Sequence, residues 1–172
     1  MEIRLLNRED AHRYRELRLK SLMENPEAYL TTYEIESAKP IEQVQQNLLP
    51  TDSRFTLGAF IVNELVGIVT FVRESNPKTL HKGNIYAMYV SPECRGKGTG
   101  KALIRRLIKR AAHLGGLEQI NLSVISTNTG AIRLYERSGF TGYGTERNAL
   151  KSGDHYWDEE LMVLRLGERD KS

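Results

Sequence analysis

Between Arg95 and Lys101 the chain reads Arg-Gly-Lys-Gly-Thr-Gly-Lys, directly after the β-branched and aromatic run Ile85 to Val90. Closely spaced glycines let a backbone approach a ligand and aim several N–H groups at one point. A helix that starts there adds a partial positive charge. The natural occupant is an anion the size of a pyrophosphate. Two common phosphate motifs fail on inspection. A P-loop ending at Gly100-Lys101 needs glycine at 95 and serine or threonine at 102, where Arg95 and Ala102 stand. The dinucleotide fingerprint fails at Lys101 in one frame and at Leu103 in the other. What fits is R-x-x-G-x-G over Arg95 to Gly100.

A second block follows, Asn128-Thr-Gly-Ala131-Ile-Arg-Leu134-Tyr135-Glu-Arg-Ser-Gly139-Phe140, which fits N-x-x-A-x-x-L-Y-x-x-x-G-F. The two blocks together, with the lead-in Tyr89-Val90-Ser91-Pro92, resemble the GNAT superfamily of acyl-CoA N-acyltransferases. The clear resemblance covers residues 85–140. It implies acetyl-CoA as co-substrate and direct transfer of an acetyl group to a primary amine in a ternary complex.

That resemblance assigns roles residue by residue. Arg95, Gly96, Lys97, Gly98, Thr99, Gly100 and Lys101 correspond to the pyrophosphate loop, with backbone amides as the main donors. Met88, Tyr89 and Val90 would bind the pantetheine arm through their main chain, and one N–H would face the thioester carbonyl, an oxyanion-type arrangement. Asn128 would add a hydrogen bond to that arm, although helix capping alone explains an asparagine there. Tyr135 would protonate the departing thiolate. Many relatives carry a carboxylate base near the start of the strand that ends at Val90, yet residues 84–90 contain none. Tyr86, Glu34 and Glu36 are the acceptor-side candidates. Residues 24–42 hold five glutamates against Lys39, which suits a cationic acceptor such as a polyamine or another small amino compound and equally suits a solvated helix face. A protein or peptide acceptor is the alternative, and a nucleic-acid-binding module on the basic segment 95–110 is a third reading.

These residues need elements to hold them. Ile3 to Leu6 reads as a strand, and Asn7 or Asp10 can cap a following helix whose apolar positions include Ala11, Tyr14, Leu17 and Leu22. Pro26 breaks it, residues 27–40 carry no clear period, and Pro40 opens a second helix through Val44 and Leu48. Phe55 to Val62 and Leu65 to Val72 form a hairpin signal around Asn63-Glu64. After the strand Ile85 to Val90, Leu103, Ile104, Leu107, Ile108 and Ala111 make an apolar helix stripe. A strand over 120–125, a short helix over 128–138 and two closing strands, 140–147 and 155–166, complete the order βααβββαβαββ. With the resemblance, this predicts an α/β fold: a central, largely antiparallel mixed sheet, splayed into a V between its fourth and fifth strands and flanked by helices.

Composition bounds the rest. The 172 residues fit one domain over 1–172. One cysteine, Cys94, excludes an internal disulfide, and the four histidines have no metal spacing. No apolar run is long enough to span a membrane, and the charged N-terminus does not read as a signal peptide. A cytoplasmic protein is predicted, a monomer or homodimer, with no metal and no nucleic-acid or membrane partner. The net charge is only +3, but no acid lies between Glu93 and Glu118, a stretch that holds seven lysines and arginines. The resemblance assigns that block to the phosphates of acetyl-CoA.

Overall fold

The computed structural model describes residues 1–172, the side chain of Arg169 excepted. Seven strands form one sheet: β1 (Glu2–Leu5), β2 (Arg54–Ile61), β3 (Glu64–Arg73), β4 (Lys82–Val90), β5 (Gln119–Ile125), β6 (Thr141–Ser152) and β7 (His155–Arg165). Their spatial order is β1-β2-β3-β4-β5-β7-β6. All neighbours are antiparallel except β4 and β5, which run parallel. Five α-helices cover the faces: α1 (Ala11–Glu24), α2 (Tyr33–Ala38), α3 (Ile41–Asn47), α4 (Thr99–Ala111) and α5 (Thr129–Arg137).

Strand alternation sends successive side chains to opposite faces, and two cores result. Phe55, Leu57, Val69 and Phe71 join the stripe of α4 with Tyr135 and Phe140 on one face. On the other, Phe60, Leu65, Ile68 and Tyr89 pack against Leu6, Leu17, Val44 and Leu48. The expected V-shaped opening is present. β4 and β5 pair only over Lys82 to Asn84 against Gln119 to Asn121, and beyond that point they separate.

Three local readings change. The turn joining β2 and β3 is Val62-Asn63, because Ile61 pairs with Glu64. Both turn residues have positive φ, 48° and 65°, the geometry of the tight turn that matches strand twist. Residues 33–38 form a helix capped by the Thr32 hydroxyl, which accepts from the Ile35 N–H; its six residues bury no side chain fully, so no apolar period marks it. Asp10 is no simple cap. It is buried, takes two 2.8 Å bonds from the Arg4 guanidinium and accepts the Asn7 N–H. The Arg4 bonds hold its carboxyl below the usual range.

Val62 is a β-branched residue in left-handed backbone with its side chain 94% exposed, so it pays strain and gains no packing. Val62→Asn should therefore stabilise the fold by about 1 kcal/mol, raising the thermal midpoint by roughly 2–4 °C. Thermal unfolding of the two proteins checks this.

Candidate functional site

The site begins with one extra residue in β4. On β3, Ile68 and Thr70 are two apart, while their partners Tyr89 and Tyr86 are three apart. Ala87, with φ 55°, sits in the extra position, a β-bulge that bends its strand. It lies just past the last β4–β5 pair and marks where the two strands part.

Beyond the bulge, the Ser91 N–H bonds back to the Val66 carbonyl. Backbone groups of alternate residues point to opposite sides of a strand, so Val90 and Met88 turn theirs toward the gap. Both of these carbonyls are taken. The Tyr29 hydroxyl donates to Met88 O at 3.0 Å and Arg95 Nε donates to Val90 O at 2.8 Å. What faces the gap unpaired is a set of donors, the N–H groups of Met88 and Val90.

The loop after β4 supplies more. The Cys94 and Arg95 amides close a short 3₁₀ turn on Ser91 and Pro92. The amides of residues 96–98 have no backbone partner, and the first bond at the start of α4 runs from Ala102 N to Gly98 O, leaving its first-turn amides free as well. Gly96 and Gly98 have φ of 72° and 84°, and a Cβ on either would meet nothing within 4 Å. Open space over free amides fits a phosphate group. Gly100 differs: a Cβ there would press on Leu134 and Met88 at 3.2 and 3.3 Å, so its smallness lets β4, α4 and α5 meet.

The side chains of this loop divide. Lys97 and Lys101 are exposed. Thr99 is buried, with its hydroxyl 3.4 Å from Cys94 O, so only its amide is available. The Arg95 guanidinium is turned away from the glycines, over the Tyr89 ring at 5.5 Å and 3.9 Å from Glu24. Glu24 also accepts the Tyr89 hydroxyl at 2.5 Å, and burial with this carboxylate pushes that phenol upward.

Asn128 caps α5, its Oδ1 accepting the Ala131 N–H at 3.2 Å, which leaves its amide N–H groups for a ligand. Tyr135 lies on the same helix, 6% exposed and edge-on to Phe140 with ring centres 5.8 Å apart. Burial raises its phenol well above the ordinary range, so the hydroxyl keeps its proton at neutral pH. The acceptor-side candidates do not converge. Glu34 is exposed, Glu36 pairs with Lys39 at 2.9 Å beside Tyr14 and Arg18, and Tyr86 is exposed on β4. The acidity of residues 24–42 is thus partly spent within the protein, on Tyr89 and Lys39.

Tyr29 lies in a stretch where sequence shows no period, and its contact spans 59 residues. Its ring also carries the Arg18 guanidinium at 4.4 Å; Arg18 is 8% exposed and its Nη1 has no hydrogen-bond partner.

The family described as acetyltransferase (GNAT) matches residues 16–140. A mycothiol acetyltransferase from Thermobispora bispora is 48% identical over 61 residues, 34% of this chain and only 20% of that protein. The L-amino acid N-acetyltransferase AaaT of Escherichia coli is 25% identical over 139 residues, 80% of this chain and 84% of that protein. In fold, the chain is similar to the acetyltransferase yncA from Salmonella typhimurium, solved with its cofactor acetyl-CoA: TM-score 0.80, 21% identity, 98% of this chain and 95% of that one.

Removing the Tyr29 hydroxyl would strand the Met88 carbonyl. Tyr29→Phe should cost about 1 kcal/mol in chemical denaturation, with the midpoint lowered and the slope unchanged.

Proposed function

Because the chain belongs to the GNAT family of acetyltransferases, and so is an acyl-CoA-dependent N-acetyltransferase, we propose that residues 1–172 act as one domain that acetylates the primary amine of a small amino compound. The observation that carries this reading is the gap beside β4, lined by unpaired N–H groups and continuous in sequence with the open glycine loop. Acetyl-CoA supplies an activated acetyl thioester.

The protein's part follows from donors and positions. Amides of residues 96–101 hold the pyrophosphate, with Lys97 and Lys101 adding charge at the rim. The N–H groups of Met88 and Val90 meet the pantetheine arm and the thioester carbonyl. Fixed donors stabilise negative charge on that oxygen more as it develops than in the ground state. Asn128 steadies the arm from the facing helix. Tyr135, kept protonated by burial, gives its proton to the departing thiolate. Arg95 acts as a positioning residue that holds the end of β4. The acceptor amine attacks directly once both substrates are aligned, and among the described residues none stands out as its base.

Two observations support a small amino compound that carries a carboxylate. AaaT, which matches most of the chain, is named for L-amino acids. The buried, unpartnered Arg18 nitrogen beside Tyr29 offers a charge for such a group.

Free-thiol release from acetyl-CoA, measured across L-amino acids, their amides, polyamines and short peptides, tests the acceptor. Amino acids should turn over faster than their amides; turnover confined to peptides would sink the proposal. Tyr135→Phe should lower kcat by about 100-fold while acetyl-CoA affinity changes less than about threefold. Unchanged turnover would remove Tyr135 from the chemistry.

A further inference from the structure

Arg106, Lys109 and Arg110 lie five, eight and nine residues beyond Lys101, on the far half of α4. At about 1.5 Å per residue, Lys101 and Arg110 are separated by roughly 13 Å along the helix axis. These cations do not serve the glycine loop. They line a separate cavity of about 540 Å³ between this half of α4 and strands β1 and β2.

The cavity has an apolar floor, with Leu5, Leu57 and Leu114 among its lining residues. Its wall is charged. Residues 106, 109 and 110 are three and four apart, so they share one helix face and repel one another. Among the described residues, none of the three has a carboxylate within ion-pair distance. Asp52 is the one acid in the lining, and Arg4 at the lip is already matched by Asp10. The Arg110 guanidinium lies over the Phe55 ring at 5.0 Å, and its Nε is buried with no hydrogen-bond partner. A buried donor on a cation is costly to leave unpaired. His113 gives its Nδ1 hydrogen to Lys109 O at 2.7 Å, which leaves Nε2 free at the lining.

Cations near the end of α4 also offset its negative pole. That role is met by exposed side chains and requires neither an apolar-floored cavity nor an orphaned guanidinium donor. We propose that this cavity is a second ligand site, which binds a small multivalent oxyanion, phosphate or polycarboxylate, carried on a compact apolar body. The volume is in the range of small-molecule sites. The proposal rests on this cavity alone and stands apart from the reading of the glycine loop.

The test uses the full chain at constant ionic strength, and residue-resolved signals separate this cavity from the glycine loop. Inorganic pyrophosphate and citrate are titrated separately against assigned backbone amide resonances. At least one should shift residues 106–114 saturably below about 10 mM, and the tighter of the two identifies the phosphate or carboxylate chemistry. The double variant Arg106→Ala/Lys109→Ala should weaken that binding by at least about tenfold, while Lys151→Ala on β6 leaves it unchanged. No saturable shift with either anion, equal binding by the double variant, or equal loss in Lys151→Ala would overturn the proposal. So would a DNA duplex that shifts these resonances where neither small anion does.

Discussion

The site depends on a single mismatch of count, three residues of β4 against two of β3 across Tyr86 to Tyr89. A strand with neighbours on both sides normally spends all its backbone groups. The extra residue at Ala87, in left-handed backbone, bends β4 after only three pairs with β5. From there the strand remains bonded on its β3 side and open on the other. The two carbonyls exposed by this opening are covered by Tyr29 and Arg95. The opening is thereby left with donors and no matching acceptors, a surface suited to an oxygen that gains negative charge. Bulges of this kind carry strain, and they occur where a sheet must present backbone to a ligand.

The covering residues are themselves held. Glu24 at the end of α1 receives the Tyr89 hydroxyl and faces Arg95, while Lys20 lies near both Glu24 and Glu93. Partly exposed ion pairs of this length contribute little stability. Their effect is geometric: they fix the end of α1 against the residues that lead into the glycine loop. The charge that marks this chain in sequence is accordingly divided three ways. Lys97 and Lys101 border the glycine loop, Arg95 braces β4, and the cations beyond residue 105 that line the far cavity face elsewhere.

Much of this was legible residue by residue. The glycine loop, the Asn128 cap and the apolar stripe of α4 all depend on neighbours within one helical turn or one tight turn, so local sequence encodes them. The β2–β3 hairpin was also legible, but its turn lies one residue earlier than the polar pair Asn63-Glu64 suggests. Register there is decided by pairing along the whole of both strands, and that pairing outweighs the poor turn propensity of Val62. The helix over 33–38 leaves no apolar period in the sequence because it is short and mostly exposed. The acidic stretch 24–42 suggested a cation site, yet composition does not reveal that Glu24 and Glu36 already have partners inside the fold.

Sequence alone determined the family resemblance, the fold class and the place of the glycine loop, because glycine conformation, capping and helical periodicity are short-range properties. Tertiary structure decided which backbone groups are free, since that depends on where β4 and β5 cease to pair. It decided that Tyr29 seals Met88 across 59 residues and that Glu24 meets Tyr89 across 65. It also placed the two halves of one basic block in different surroundings, because a helix presents its two ends to different parts of the fold. Each of these is a contact between segments distant in the chain, set by sheet order and packing rather than by the residues' own preferences.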